Sequence, residues 1–142
     1  MGINQKLTNI YKAHWGTLES ELKSLGDRSY ANPFLIAVDE ERLRSSDLRV
    51  MIFGQETRGW GNETGVLCSP EEVIGIYKTI FCEKKFYPGY RKSSFWKAFQ
   101  YFEENIQAAC PDKTIYFSWN NINKIGRSKG KTGVNEKVRE IE

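Results

Sequence analysis

An apolar run at residues 48–53 ends in Gly54 and is followed at once by the polar side chains of Gln55 and Glu56. The run has few polar residues, which is typical of a strand that helices cover on both faces in a parallel sheet. A plain surface turn after such a strand needs only Asn, Asp, Gly or Ser. Residues 55–60 instead supply an amide, a carboxylate, a guanidinium and an indole. The sequence therefore predicts a buried strand with hydrogen-bonding and charged side chains at its exit.

Helix and strand patterns alternate along the chain. Apolar residues recur at steps of three and four in residues 7–25, and residues 70–80 and 93–109 have similar apolar faces, so these segments are predicted to be helices. Apolar runs at residues 34–38 and 114–119 are two further strand candidates. This alternation predicts an α/β fold, a three-layer sandwich in which helices flank a short, mostly parallel sheet.

Single residues in two of the predicted helices are informative. Before the second helix, Ser69 is the predicted N-cap, Pro70 takes the first helical position and Glu72 the third, as in a capping box. The first helix carries the only histidine of the chain, His14, on its apolar face. We expect a packed, neutral histidine there rather than a catalytic base.

Length and composition indicate one domain over residues 1–142, long enough to bury a substantial core. The net charge of +3 permits nucleic-acid binding without requiring it. The three cysteines lie far apart, fit no metal-binding pattern and leave one thiol over in any disulfide scheme, so we expect reduced thiols in a cytoplasmic protein. No apolar run approaches membrane-spanning length, so no membrane partner is expected.

The pair Gln55-Glu56 is the sharpest chemical signal in the sequence. A carboxylate that is held at the rim of a sheet and partly desolvated is able to orient or activate water. An adjacent amide is able to read the polar edge of a heterocycle through paired hydrogen bonds. The alternative is a structural turn in which Glu56 caps a helix N-terminus or pairs with Arg58. Local chemistry alone leaves both interpretations open.

A second polar cluster follows the last predicted strand, where Asn120, Asn121 and Asn123 stand close together. Sites in parallel α/β folds lie beyond the carboxyl ends of the strands. The pair at residues 55–56 and the asparagine cluster therefore share one rim of the predicted sheet, and we expect them to face a common pocket.

A basic loop that contains glycines comes after the asparagines. Residues 126–132 end in Gly-Lys-Thr, but only three residues separate the first glycine from the Gly-Lys pair, which is one fewer than a phosphate-cradling loop requires. The pattern favours an ordinary basic loop and leaves open a role in contacting a nucleic-acid backbone. The candidate phosphate contacts are Arg58, Lys124, Arg127, Lys129 and Lys131.

Residues 84–92 form a second basic segment, in which aromatic side chains are interleaved with lysine and arginine. Basic groups neutralise phosphates and aromatic rings stack on bases in proteins that bind single strands. Loops of this composition also occur simply as covers over a core, and the sequence favours neither role.

Three segments taken together resemble the uracil-DNA glycosylase superfamily. Residues 50–56, Val-Met-Ile-Phe-Gly-Gln-Glu, are similar to the strand and first motif of that family, whose best-known form is Gly-Gln-Asp-Pro-Tyr-His. Residues 69–78 resemble the opening of its next helix, and residues 114–121 resemble the strand that ends in a base-reading asparagine. The order and approximate spacing agree over residues 48–125.

The resemblance implies a DNA N-glycosylase, a hydrolase that needs no metal or cofactor and acts on uracil or another damaged base. Its DNA partner would be single-stranded or a duplex with the base flipped out. Gln55 would contribute to the base pocket, and Glu56 would hold the hydrolytic water in the place of the family's aspartate. Asn120 or Asn121 would bind the amide edge of the base.

The sequence also departs from the family pattern. Thr57-Arg58-Gly59-Trp60 replaces Pro-Tyr-His, which leaves Trp60 as the candidate pocket wall. No histidine-bearing closing motif precedes Glu142, so we expect either a truncated chain or a divergent relative. Three hypotheses follow: an active glycosylase, a non-catalytic relative that binds nucleic acid or a nucleotide in the same cleft, and an α/β domain whose Gln-Glu turn is only structural.

Overall fold

The computed structural model describes residues 1–61, 66–86, 88–128 and 136–141, and within these ranges the chain forms several helices and one pair of strands. The elements are α1 (Ile3–Ser24), α2 (Glu40–Ser45), β1 (Leu48–Gly54), α3 (Pro70–Tyr77), α4 (Ser94–Ala109), β2 (Ile115–Asn121) and α5 (Glu136–Ile141). A π-helical turn, Lys78–Cys82, continues α3, and a 3₁₀ turn, Tyr90–Lys92, precedes α4. None of the described helices is both long enough and apolar enough to cross a membrane.

The start of α3 follows directly from the local sequence. The backbone N–H of Glu72 donates to Ser69 Oγ at 3.3 Å, and the Glu72 carboxylate accepts from the backbone N–H of Ser69 at 2.7 Å. Pro70 occupies the first turn, where its missing N–H costs no hydrogen bond. The predicted capping box is confirmed, and such a cap contributes about 1 kcal/mol to stability.

The two strands pair in parallel, as the predicted α/β class requires. They run in register along their whole length, and Gly54 is opposite Asn121 at the carboxyl end. The pairing continues past the strands, because the N–H of Asn123 donates to the carbonyl oxygen of Gln55 at 2.8 Å. The two strand exits are therefore held side by side, as the sequence predicts.

The described sheet is smaller than predicted, because residues 34–38 do not form a strand. The N–H of Phe34 donates to the carbonyl oxygen of Lys124 at 2.6 Å, and the N–H of Val38 donates to the side-chain oxygen of Asn4 at 2.8 Å. Backbone groups of this buried segment are thus satisfied by a loop and by helix α1 rather than by a neighbouring strand. Within the described ranges the sheet has two strands, not three.

The prediction that helices cover both faces of β1 is also wrong for the described part of the chain. Successive side chains of a strand point to opposite faces. Ile52 packs against the core, whereas Met51 and Phe53 are 42% and 56% exposed. The apolar composition of β1 therefore reflects one buried face and one face that the described helices leave open.

An aromatic cluster around Trp119 of β2 forms the main core. The rings of Phe34, Trp96 and Phe95 have centroids 4.4, 4.9 and 5.4 Å from that of Trp119. Rings at these separations pack in tilted or edge-on arrangements and bury large apolar areas. Because Trp119 lies two positions before Asn121, the cluster packs α4 against the carboxyl end of the sheet.

Candidate functional site

A cleft of about 590 Å³ lies beyond the carboxyl ends of β1 and β2. This volume falls in the range of small-molecule sites, about 300–1,000 Å³. The walls come from the exit of β1, the end of β2 and the start of α4. The side chains that give the cleft its chemistry are Gln55, Glu56, Thr57, Arg58, Trp60, Phe95, Trp96, Trp119 and Asn121.

Gly54 allows the two strands to end close together beside this cleft. A Cβ on Gly54 would lie 2.6 Å from Asn121 Oδ1, 3.0 Å from the ring of Phe95 and 3.3 Å from Trp119 Nε1. Real Cβ atoms essentially never come within 3.0 Å of another heavy atom. Glycine is therefore required here for a close approach of neighbouring side chains.

Asn121 is the most deeply buried polar residue of the cleft, at 1% exposure. Its Oδ1 accepts a hydrogen bond from Trp119 Nε1 at 2.9 Å. Among the described residues its Nδ2 has no hydrogen-bond partner. Buried amide groups are nearly always paired, so the unpaired amide marks this position as a candidate ligand contact.

Two further hydrogen-bonding groups are buried in the walls. Thr57 and Trp60 are each 7% exposed, and within the described ranges neither Thr57 Oγ1 nor Trp60 Nε1 has a partner. Thr57 is held against Gly126, where a Cβ would lie only 1.7 Å from the Thr57 carbonyl oxygen. The Trp60 ring packs 5.0 Å from that of Phe34, centroid to centroid. Residues that line the cleft thus carry three buried polar atoms without a hydrogen-bond partner among the described residues.

The predicted pair Gln55-Glu56 lines the same cleft. The Gln55 side chain is exposed, and its carbonyl oxygen is tied to the N–H of Asn123. The Glu56 side chain is partly buried. A carboxylate beside aromatic walls is suited to orienting a water or stabilising a nearby positive charge. Arg58 also lines the cleft and is exposed, which suits contact with an anionic group.

Asn120 does not share this cleft, although the sequence left both asparagines as candidates. It lines a separate cavity of about 430 Å³ together with His14 and Lys124. Its Oδ1 accepts from Lys124 Nζ and from the backbone N–H of Asn121. The separation has a simple cause, since adjacent residues of a strand point to opposite faces.

The candidate phosphate contacts are not brought together. Lys124 lines the cavity of Asn120, where its Nζ also donates to the carbonyl oxygen of Asn121 at 2.6 Å. Arg127 pairs in a β-bridge with Tyr30, on neither wall of the cleft. Lys129 and Lys131 lie outside the described residues. Of this set, only Arg58 lines the cleft.

Phe95 and Trp96 belong to the helix predicted over residues 93–109, and the sequence gave no reason to place them in a site. Both lie in the first turn of α4, which begins at the cleft. Ser93 is the N-cap residue of this helix, but its side chain forms no capping hydrogen bond. In the preceding loop, Phe86 stacks on Tyr90 at 4.3 Å and meets Trp96 edge-on at 4.9 Å. These loop rings therefore cover the core.

The expectation of a packed histidine is wrong, because the side chain of His14 is exposed on α1. It lines the cavity of Asn120 and not the cleft. In the part of the chain that the structure describes, no three His, Cys, Asp or Glu side chains are grouped to hold a metal ion. The chemistry of the cleft is that of one carboxylate, hydrogen-bond donors and aromatic walls.

Comparison with known proteins adds no relatives: no protein-family model, curated protein or solved structure matches this chain.

Proposed function

We propose that the cleft binds a base flipped out of DNA and that the chain hydrolyses the N-glycosidic bond of that base. The observation that carries the proposal is the meeting of Glu56 and Asn121, from the exits of two different strands, in one aromatic cleft. A three-layer sandwich like that of uracil-DNA glycosylases, DNA as the partner and a cytoplasmic location belong to the same proposal.

Each group has a role that its chemistry supports. The partly buried ring of Phe95 offers an apolar face to a planar base, with the buried Trp96 packed behind it, and base–aromatic stacking is worth about 1–3 kcal/mol. The buried amide of Asn121 hydrogen-bonds the polar edge of the base. Glu56 positions the attacking water and balances the positive charge that develops on the sugar as the bond to the base breaks. Arg58 contacts a neighbouring phosphate.

Glycosylase activity is tested with single-stranded and duplex oligonucleotides that each carry one uracil, hypoxanthine or oxidised guanine. Abasic sites are scored by alkaline cleavage. We expect product with the wild type and a loss of at least about a hundredfold with Glu56→Gln, which keeps the shape of the side chain and removes its charge. Glu104→Gln, an exposed position on α4, is the matched control and retains full activity.

Two results would overturn this assignment. No abasic product from the wild type on any lesion would reject hydrolysis. Unchanged product with Glu56→Gln would reject the role of Glu56 while leaving hydrolysis in place.

The second candidate function is binding of a base without hydrolysis, and one observation favours it. The chain has a single histidine, and that residue, His14, lines the other cavity. No imidazole is therefore available in the cleft to stabilise the anion of a departing base. Gel-shift binding that weakens with salt and yields no abasic product would support this candidate. Absence of binding would support a purely structural Gln-Glu turn.

A further inference from the structure

A pocket of about 450 Å³ shares one wall residue, Trp96, with the cleft and is otherwise separate from it. Among the described residues, its charged side chains come from four parts of the chain: Arg42 of α2, Lys84 beyond the π-helical turn, Arg91 of the 3₁₀ turn and Glu103 of α4. This basic pocket is therefore lined by three positive charges and one negative charge. A doubly negative group would balance them.

The three cations of the basic pocket have no carboxylate partner. Within the described ranges, none of them is in a salt bridge. Cations close to them in sequence behave differently, since Arg44 pairs with Glu40 at 2.5 Å and Lys85 pairs with Glu83 at 2.7 Å. The positive charges that face the pocket thus remain available to an anion.

Glu103 does not neutralise these cations. Burial raises the pKa of its carboxyl group, and the charges of Lys84 and Arg42 oppose that shift without reversing it. A carboxylate that is tightly paired with a cation has a lowered pKa instead. Lys84 and Arg42 are therefore near Glu103 but are not engaged by it.

The backbone at Lys84 favours a different residue. Its φ is +57°, in the left-handed region that glycine adopts most readily. The π-helical turn before it is closed by a hydrogen bond from the N–H of Glu83 to the carbonyl oxygen of Lys78 at 2.9 Å, and such turns occur frequently at functional sites. A lysine in a conformation that suits glycine indicates that its side chain is used.

Arg91 is held in place by the aromatic part of the same segment. Its Nε donates to the hydroxyl oxygen of Tyr90 at 3.2 Å, and the Tyr90 ring stacks on Phe86 with centroids 4.3 Å apart. Among the described residues, nothing accepts from its two Nη atoms. A guanidinium fixed in this way presents a pair of parallel N–H donors, which matches the oxygens of a phosphate.

We propose that the basic pocket binds a phosphate group through Arg42, Lys84 and Arg91. A phosphate ester carries up to two negative charges and three acceptor oxygens, which fits three cations beside one carboxylate. This assignment goes beyond the proposed hydrolysis, because the pocket is separate from the cleft. It also gives residues 84–92 a role that their sequence left open. The phosphate belongs either to a free phosphate ester or to the backbone of a nucleic-acid strand.

Calorimetric titration with inorganic phosphate at low ionic strength tests the site itself. We expect saturable binding to the wild type and about tenfold weaker binding to Arg42→Gln and to Lys84→Gln, since each loses a charge-assisted hydrogen bond. Arg44→Gln and Lys85→Gln are the matched controls, because both cations are exposed and lie outside the pocket. Their affinities should stay within about twofold of the wild type.

Glu103→Gln should change the affinity in the opposite direction. It removes a negative charge that faces the anion and should strengthen phosphate binding severalfold, whereas Glu104→Gln should have no effect. Lys84→Gly provides a second test at the strained position. It should match Lys84→Gln in its loss of affinity and keep a Tm at or above that of the wild type, because glycine relieves the backbone.

Two further probes identify the source of the phosphate. One is deoxyribose 5-phosphate, and the other is a strand of tetrahydrofuran abasic sites, which carries no base for the cleft. Tighter binding of the strand, with a salt dependence of log affinity that falls by about one in Arg42→Gln, would assign the pocket to a nucleic-acid backbone. Tighter binding of deoxyribose 5-phosphate would assign it to a free ester.

Absence of saturable phosphate binding to the folded wild type would overturn this inference. Equal affinities of Arg42→Gln, Lys84→Gln and their controls would overturn it as well. Either result would leave base hydrolysis in the cleft intact, because none of these probes contains a base.

Discussion

The hydroxyl of Tyr77 takes the place of a neighbouring strand along the outer edge of β2: it donates to the carbonyl oxygen of Trp119 at 2.8 Å and accepts from the N–H of the same residue at 3.2 Å. In a parallel strand, both backbone groups of one residue point to the same edge. One side chain from α3 therefore satisfies both of them. Burial raises the pKa of Tyr77, so the hydroxyl keeps its proton and remains a donor. This contact anchors α3 to the strand that carries Asn121.

Tyr77→Phe is expected to destabilise the fold by about 1–3 kcal/mol, because it leaves two buried backbone groups without a partner and creates no cavity. The free energy of unfolding from urea titration measures the effect. Tyr101→Phe, on the exposed face of α4, is the matched control and should change stability by no more than about 0.5 kcal/mol. Equal stabilities of the two variants would contradict the bridging role of the hydroxyl.

Gly126→Ala should be strongly destabilising or prevent folding. A Cβ there would lie 1.7 Å from the Thr57 carbonyl oxygen, which is backbone and has to move for the methyl group to fit. Gly16→Ala is the matched control. Gly16 lies in the middle of α1, and a Cβ added there would have no heavy atom within 4 Å. That substitution should stabilise the protein by about 0.5–1 kcal/mol through helix propensity. Thermal unfolding of both variants tests the prediction, which a normally stable Gly126→Ala protein would refute.

Only one of the two adjacent asparagines should affect base binding. Asn121→Ala removes an amide that lines the cleft and should weaken binding of a base-containing strand by about tenfold. Asn120→Ala changes the cavity on the other face of β2 and should leave that affinity within about twofold. Circular dichroism establishes that both variants are folded. A reversed order of the two effects would show that the ligand occupies the cavity of Asn120.

Glu103 should make stability depend on pH. Burial raises the pKa of this α4 carboxyl group, and the nearby charges of Lys84 and Arg42 oppose the shift. A raised pKa means that the folded state favours the protonated form of Glu103. Ionisation of Glu103 therefore does not lower the stability of the fold below the unfolded pKa of 4.5, and it lowers stability increasingly as pH rises through the folded pKa. Glu103→Gln should therefore raise stability at neutral pH.

The gain from Glu103→Gln should disappear when unfolding is measured below the unfolded pKa of 4.5. Glu104→Gln is the control on the same helix and should show no such trend, because Glu104 is exposed. A gain from Glu103→Gln that is independent of pH would mean that ionisation is not its cause.

Local patterns were sufficient for much of the secondary structure. The capping box at Ser69 and Glu72 needs only neighbouring residues, and it forms as predicted. The two apolar runs at residues 48–53 and 114–119 become β1 and β2, because a short apolar run before a turn signal is a local property. Residues 34–38 have the same local appearance, yet contacts with Asn4 and Lys124, both distant in sequence, decide that they form no strand.

The sequence by itself determined that Gln55 and Glu56 follow the end of one strand and that asparagines follow the end of the other. Parallel strands place their carboxyl ends on one rim of the sheet, so the two groups lie on the same rim. Only the tertiary structure decided that Asn121 joins them and Asn120 does not. A shift of one residue moves a side chain to the opposite face of a strand, so the choice depends on register and not on residue type. The orientation of the Asn121 amide is also decided by the tertiary structure. Its oxygen accepts a hydrogen bond from the Trp119 indole, which aromatic residues of α4 and of the segment before α2 hold in place.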